Sequence, residues 1–183
     1  MSQQVQLPET MNAMVLEQQG QPLRHRQVPV PAIKHPDQVL VKVQACGVCR
    51  TDLHLLDGEL TDPKMPLIPG HQIVGTVVAC GDHTGDIQVG DRVGVPWLGH
   101  TDGTCRYCRR EQENLCEQAR FTGYTMDGGY AEYALAHAPY CHPLPPEAKA
   151  LDIAPLLCAG LIGFRTWRLA GGETIERLGI YGF

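Results

Sequence analysis

From residue 11 to residue 136 the apolar positions fall in short runs that alternate with polar ones or cluster as β-branched blocks, and Gly or Pro interrupts them repeatedly. The clearest alternation puts Val39, Val41 and Val43 on one face and Gln38, Leu40, Lys42 and Gln44 on the other, which predicts a half-buried strand over Val39 to Ala45. Met11 to Glu17 and Leu23 to Val30 predict two further strands broken apart by Gly20 and Pro22. Ile73 to Ala79 is β-branched, Gly90 to Pro96 reads as a turn running into a short strand, and Tyr130 to Ala136 follows the Gly128-Gly129 pair as one more. Residues 1 to 10 read as a loose leader. Many short strands, with almost no helical periodicity before residue 150, predict a compact, barrel-like β domain.

The pattern changes near Pro145-Pro146. From Asp152 onward Ala, Leu, Ile and Cys recur at helical spacing, Gly160 and Gly163 permit close packing, and Phe164 to Ala170 completes a helix before Gly171-Gly172. Arg177 to Phe183 then predicts a strand that reaches a glycine.

Composition narrows the function classes. The 183 residues suit one domain and a fraction of another, and 43% hydrophobic with 19% charged residues excludes a disordered chain. A net charge of -5 with scattered Lys and Arg argues against a nucleic-acid partner. No stretch approaches the roughly 18 apolar residues of a membrane span, and Met-Ser-Gln-Gln-Val-Gln lacks the marks of a signal peptide, so the expected location is cytoplasmic. In that compartment eight cysteines point to metal ligation before disulfides.

The candidate chemistry begins at Ala45 to His71. Cys49 and His71 offer the soft sulfur and borderline nitrogen that zinc prefers, and Thr51 and His54 lie close enough in sequence to handle a proton. Cys105 and Cys108 are three apart and Cys116 follows after seven residues, a strong zinc spacing, with Asp102 as a permissible fourth ligand. Cys46, Cys80 and Cys141 read as packing residues. His25, His35, His83, His100, His137 and His142 read as surface or loop residues.

Taken together, Gly-Val-Cys49-Arg50-Thr51-Asp52-Leu-His54, Pro-Gly-His71, Val-Gly-Asp91-Arg92-Val, Trp97-Leu98, the cysteine lobe, Gly128-Gly129-Tyr130-Ala131-Glu132-Tyr133 and Pro-Leu-Leu-Cys158-Ala-Gly resemble the zinc-dependent medium-chain alcohol dehydrogenases, most closely the bacterial branch that prefers short primary alcohols. The resemblance implies a mainly β, GroES-like barrel catalytic domain over residues 1–150, with a structural-zinc lobe at 98–118. Residues 151–183 become a linking helix and the first strand of a Rossmann α/β cofactor domain. It implies two zinc ions, a catalytic one on Cys49, His71 and Cys158 and a structural one on Asp102, Cys105, Cys108 and Cys116. Cys46 is then not a ligand. Asp52 holds the His71 ring, Thr51 and His54 relay the alcohol proton, Arg50 meets the pyrophosphate of NAD or NADP, and Trp97 narrows a pocket for a small alcohol or aldehyde. A homo-oligomer is implied for a full-length protein.

Two departures stand out: Gln72 follows His71 where the family has Glu, and Asp102 replaces the first lobe cysteine. Two other readings compete, a zinc-binding fragment inactive without its cofactor domain and a polyol or sugar dehydrogenase of the same superfamily. Trp97 argues mildly against the second.

Overall fold

A computed structural model describes residues 7–180 of the protein. Strand β1 (Thr10–Val15) buries Met11, Ala13 and Val15 and exposes the residues between them, as a period of two dictates for a strand with one wet face. It pairs antiparallel with β2 (Arg24–Pro29), which is almost wholly exposed. Next come β3 (Gln38–Cys46), helix α1 (Arg50–Asp57), β4 (Ile73–Cys80), β5 (Arg92–Val95), β6 (Leu98–His100), β7 (Arg120–Phe121), β8 (Tyr133–His137) and β9 (His142–Pro143). Helices α2 (Ala150–Ile153) and α3 (Ala159–Leu169) follow, joined by a tight turn over Ala154–Leu157.

Five of the strands form one antiparallel sheet in the order β8-β3-β4-β5-β9, and β6 pairs with β7. On one face of the large sheet Val39, Val41, Ile73, Val77, Val93 and Val95 build the main core. On the other, Leu40 and Tyr133 pack with Met11, Ala13, Val15 and Ile68. The alternation expected in β3 therefore holds for the valine face, but Gln38 and Leu40 on the opposite face are buried as well. The β1–β2 hairpin supplies the cover that periodicity alone could not reveal. Each strand expected before residue 150 is present with its ends shifted by a few residues. Among the described residues no single sheet closes on itself, so the β domain is one five-stranded sheet and two two-stranded ones.

Two segments differ from expectation. Residues 50–57, in the part of the chain where almost no helical periodicity is legible, form α1, because Cys49 and Asp52 cap its N-terminus and Gly58 closes its other end with φ 82°. Leu55 anchors the helix against Leu16 and Leu67. The strand expected over Arg177 to Phe183 has no ladder over 177–180, where no neighbouring strand offers hydrogen bonds; residues 181–183 lie outside the described ones.

The helical segment is attached on one side only. Ala154, Leu157 and Ile153 pack on Ala45, Val74 and Leu144, while α3 buries no residue and exposes Leu161, Ile162, Phe164 and Leu169. Among the described residues no single helix is long and apolar enough to cross a membrane.

Candidate metal centre

Strand β3 ends at Cys46, and Cys49 becomes the N-cap of α1 in an extended conformation. Its Sγ accepts the backbone N–H of Thr51 at 3.3 Å, and Asp52 Oδ2 accepts the N–H of Cys49 at 2.9 Å. A capping box normally uses a hydroxyl; here a sulfur takes that place, so one group both starts the helix and faces a neighbouring imidazole.

His71 reaches the same point from the loop before β4. Gly70 precedes it with φ 97°, and a Cβ there would lie 2.5 Å from the Tyr130 ring and 2.8 Å from Cys46 Sγ, so only glycine lets the chain pass. The imidazole is 1% exposed. Its Nε2 lies 3.3 Å from Cys49 Sγ and its Nδ1 lies 3.5 Å from Asp52 Oδ1. Cys158, at the start of α3, completes the group with its Sγ 3.8 Å from that of Cys49.

All three ligand atoms lie within 4.8 Å of one another. A tetrahedral zinc with Zn–S of about 2.3 Å and Zn–N of about 2.0–2.1 Å separates its ligand atoms by about 3.5–3.8 Å. The measured 3.3 and 3.8 Å bracket that spacing. Two sulfurs and one nitrogen leave one tetrahedral position for a guest, which is the donor set of an open zinc site.

The charges agree with that geometry. Burial would raise the Cys49 thiol, but the Thr51 hydroxyl and N–H, His71 and Cys158 outweigh it and hold the group below its ordinary value. Cys158 is pushed up by burial and by the charge on Cys49. Burial would lower His71, yet Asp52 and Cys49 raise it; burial would raise Asp52, yet His71 and the Cys49 N–H lower it. Cys46, by contrast, is pushed up to about 12 by burial and remains a thiol aside from the group.

The other expected site residues lie around this centre. Thr51 is next to Cys49 on the first turn of α1. His54, one turn on, pairs through Nδ1 with Glu59. Arg50 is exposed. Trp97 sets its ring edge-on to His71 with centroids 5.0 Å apart, and its faces stack on Phe121 and Tyr124. Gln72 is buried, its carbonyl accepts the N–H of Gly47 at 3.0 Å, and its Nε2 has no hydrogen-bond partner among the described residues.

A second group lies in the loop between β6 and β7. The ligand atoms of Asp102, Cys105, Cys108 and Cys116 also lie within 4.8 Å of one another, with 3.6 Å between Cys105 and Cys108 Sγ. Asp102 Oδ1 accepts the N–H groups of Thr104 at 2.8 Å and Cys105 at 2.9 Å, which lower its carboxyl to about 2. Residues 102–118 contribute nothing to the four apolar clusters, so a metal is the natural cross-link for this lobe.

Several contributors carried no signal as single residues in the sequence. Tyr130 packs beside Gly70 and its hydroxyl lies 3.5 Å from the Gly47 carbonyl. Phe121 and Tyr124 flank Trp97. His137 and His100, read as surface or loop residues, lie in β8 and β6 in ring contact at 4.7 Å, and His137 Nδ1 is 2.8 Å from Asp37. The only sequence pointer to Tyr130 was the Gly-Gly-Tyr motif.

Comparison with known proteins agrees with this geometry. The alcohol dehydrogenase GroES-like domain family matches residues 35–146. A probable alcohol dehydrogenase of Mycobacterium tuberculosis is 48% identical over 161 residues, covering 85% of this chain and 46% of that protein. Among solved structures, the alcohol dehydrogenase of the hyperthermophilic archaeon Aeropyrum pernix superposes with a TM-score of 0.80 at 33% identity, over 88% of this chain and 48% of that one. Acetophenone reductase of Geotrichum candidum, solved in complex with NAD, gives 0.79 at 30% identity over 91% and 49%. The chain spans about half the length of the relatives it matches.

Proposed function

The chain belongs to the zinc-containing medium-chain alcohol dehydrogenases, and from that premise we propose that it carries the metal-binding half of an enzyme oxidising short primary alcohols to aldehydes, or the reverse, with NAD or NADP. The observation that carries this reading is the convergence of Cys49, His71 and Cys158 at tetrahedral spacing with one position open. Residues 1–150 form the catalytic domain with its lobe at 98–118, and 151–183 lead into the cofactor domain. A protein of the relatives' length supplies the rest of that domain and the contacts of a homo-oligomer.

Zinc held by these three residues supplies Lewis-acid polarisation of an alcohol or aldehyde oxygen. The chain's own groups do the rest. Asp52 orients His71 and keeps its Nε2 directed at the centre. Thr51, on the first turn of α1, would take the alcohol proton at its hydroxyl while giving up its own toward His54, one turn further along the helix. His54, paired through Nδ1 with Glu59, would release the proton to water. Arg50, exposed and unpaired among the described residues, binds the cofactor pyrophosphate. Trp97, stacked with Phe121 and Tyr124, limits the guest beside His71 to a small one, which favours a short alcohol over a sugar. Gln72 puts a neutral amide behind the centre at the position where the family has Glu, so ligand exchange there would proceed without a carboxylate from that residue.

Asp102, Cys105, Cys108 and Cys116 hold a second zinc, with Asp102 Oδ2 as the oxygen ligand because Oδ1 is engaged by two backbone N–H groups. Elemental analysis of the purified protein is expected to give close to two zinc ions per chain. Cys49→Ser and His71→Ala should each lose one; unchanged metal content in both would refute the site. For the substrate, a full-length enzyme is expected to turn over ethanol or propanol faster than sorbitol or glucose, and the opposite order would replace the alcohol by a polyol.

A further inference from the structure

A groove of about 500 Å3 among the described residues includes none of the expected metal ligands. That size lies within the range of about 300–1,000 Å3 typical of small-molecule sites. It runs between the β1–β2 hairpin and the loops that carry Ile68 and Met126, over the outer face of β8. Its floor is apolar, built from Met11, Val28, Ile68, Met126 and Leu135. These residues are largely the second apolar cluster, whose buried members leave Val28 and Leu135 only half-covered.

The rim carries a different charge from the rest of this acidic chain. Three cations border the groove, Lys34, Lys64 and Arg120. Lys64 is committed to Asp127 at 2.8 Å and to the Pro66 carbonyl. Lys34 and Arg120 have no carboxylate within ion-pair distance among the described residues. Gln38 fixes the approach of Lys34, because its Oε1 accepts the backbone N–H groups of Lys34 at 2.9 Å and His35 at 3.1 Å.

We propose that this groove binds an anionic amphiphile, an alkyl carboxylate whose tail lies over Met11, Ile68 and Leu135 and whose head is held by Lys34 and Arg120. An apolar trough alone would take any oily molecule; two free cations at its edge select one that ends in a negative charge. Both cations are exposed, so the head group keeps water and affinity comes chiefly from the buried tail.

The test uses the zinc-loaded 183-residue protein with octanoate as probe and octanol as the uncharged control, followed by calorimetry. One octanoate is expected to bind per chain, more tightly than octanol. Lys34→Gln with Arg120→Gln, two surface changes that leave the fold intact, should weaken octanoate about tenfold and leave octanol unaffected. A diazirine-bearing alkyl carboxylate should cross-link to the Met11, Met126 and Leu135 segments. Three results would each overturn the proposal: no binding, equal affinity for octanol and octanoate, or cross-links beside Trp97 and Cys49, which would place the ligand at the metal centre. Binding that appears only after residues 1–6 are removed would give the groove to the chain's own N-terminal segment and overturn it too. None of these outcomes bears on the zinc content, so the two sites are tested separately.

Discussion

Asp52 uses its two oxygens for two different neighbours, one for the backbone N–H of Cys49 and one for the ring of His71. Its removal therefore has a signature beyond lost stability. Zinc takes a neutral imidazole, so affinity at this site falls as pH drops through the pKa of His71, which Asp52 helps to raise. Asp52→Asn should lower zinc affinity about 10–100-fold at neutral pH and move the acid limb to lower pH. Competition with a chromophoric chelator across pH measures both, and an unchanged limb would show that Asp52 does not act on the ring. Cys49 and His71 were legible as donor types beside glycines. Cys158 was not legible from its surroundings, because it lies 109 residues from Cys49 in an apolar stretch where packing is the default reading; only the resemblance picked it out. His137, read as a surface or loop residue, is buried in β8, and His100 beside it is half-buried, since an isolated histidine has no periodicity to betray its surroundings.

Helix α1 connects the residue types to their geometry, and two glycines test it in different ways. At Gly58 a Cβ would meet only Gln19 at 3.7 Å, so Gly58→Ala feels the left-handed backbone alone and should cost about 1–2 kcal/mol in urea unfolding. At Gly70 the same backbone penalty adds to a collision with Tyr130 and Cys46, so Gly70→Ala should cost about 3 kcal/mol or more and disturb His71. Equal costs would show that the Gly70 passage is roomier than described. The strands were largely readable, because alternation and β-branched runs report burial on one face directly. Helix α1 was not: eight residues with a single buried leucine carry little periodicity, and its signal lay in the Cys49-x-x-Asp52 cap. The junction of β8 with the loop before β3 adds a pH dependence. Burial would raise Asp37, but the His137 hydrogen bond and charge outweigh it and lower its carboxyl below 3.8. The contribution is present above that value and is lost as pH falls through the lowered one. Asp37→Asn should flatten acid unfolding in that window, and an unaltered acid transition would remove the pair from the account.

At the scale of the whole molecule, the β domain covers its own core while α3 does not. Leu161, Ile162 and Phe164 stand in solvent, a contiguous apolar face that a globular protein rarely leaves bare. Leu156 before the helix and Leu169 at its end are exposed as well, and Trp167 is half-covered. Leu161→Ser with Phe164→Ser should reduce dye binding and self-association while zinc content stays the same. Loss of zinc in that variant would mean that α3, rather than the packing of Ala154 and Leu157 on the sheet, holds Cys158 in position. Which surface covers α3 was never legible, since the pattern of a helix shows that a partner is needed and not its shape.

The account depends on two sulfurs and one nitrogen meeting at a single ion. X-ray absorption at the zinc edge, on protein whose lobe ligands are removed by Cys105→Ser and Cys108→Ser, reads that shell directly. One zinc per chain is expected, with two sulfurs at about 2.3 Å, one nitrogen at about 2.0–2.1 Å and one further light atom. A shell without sulfur, or no zinc retained at all, would contradict it.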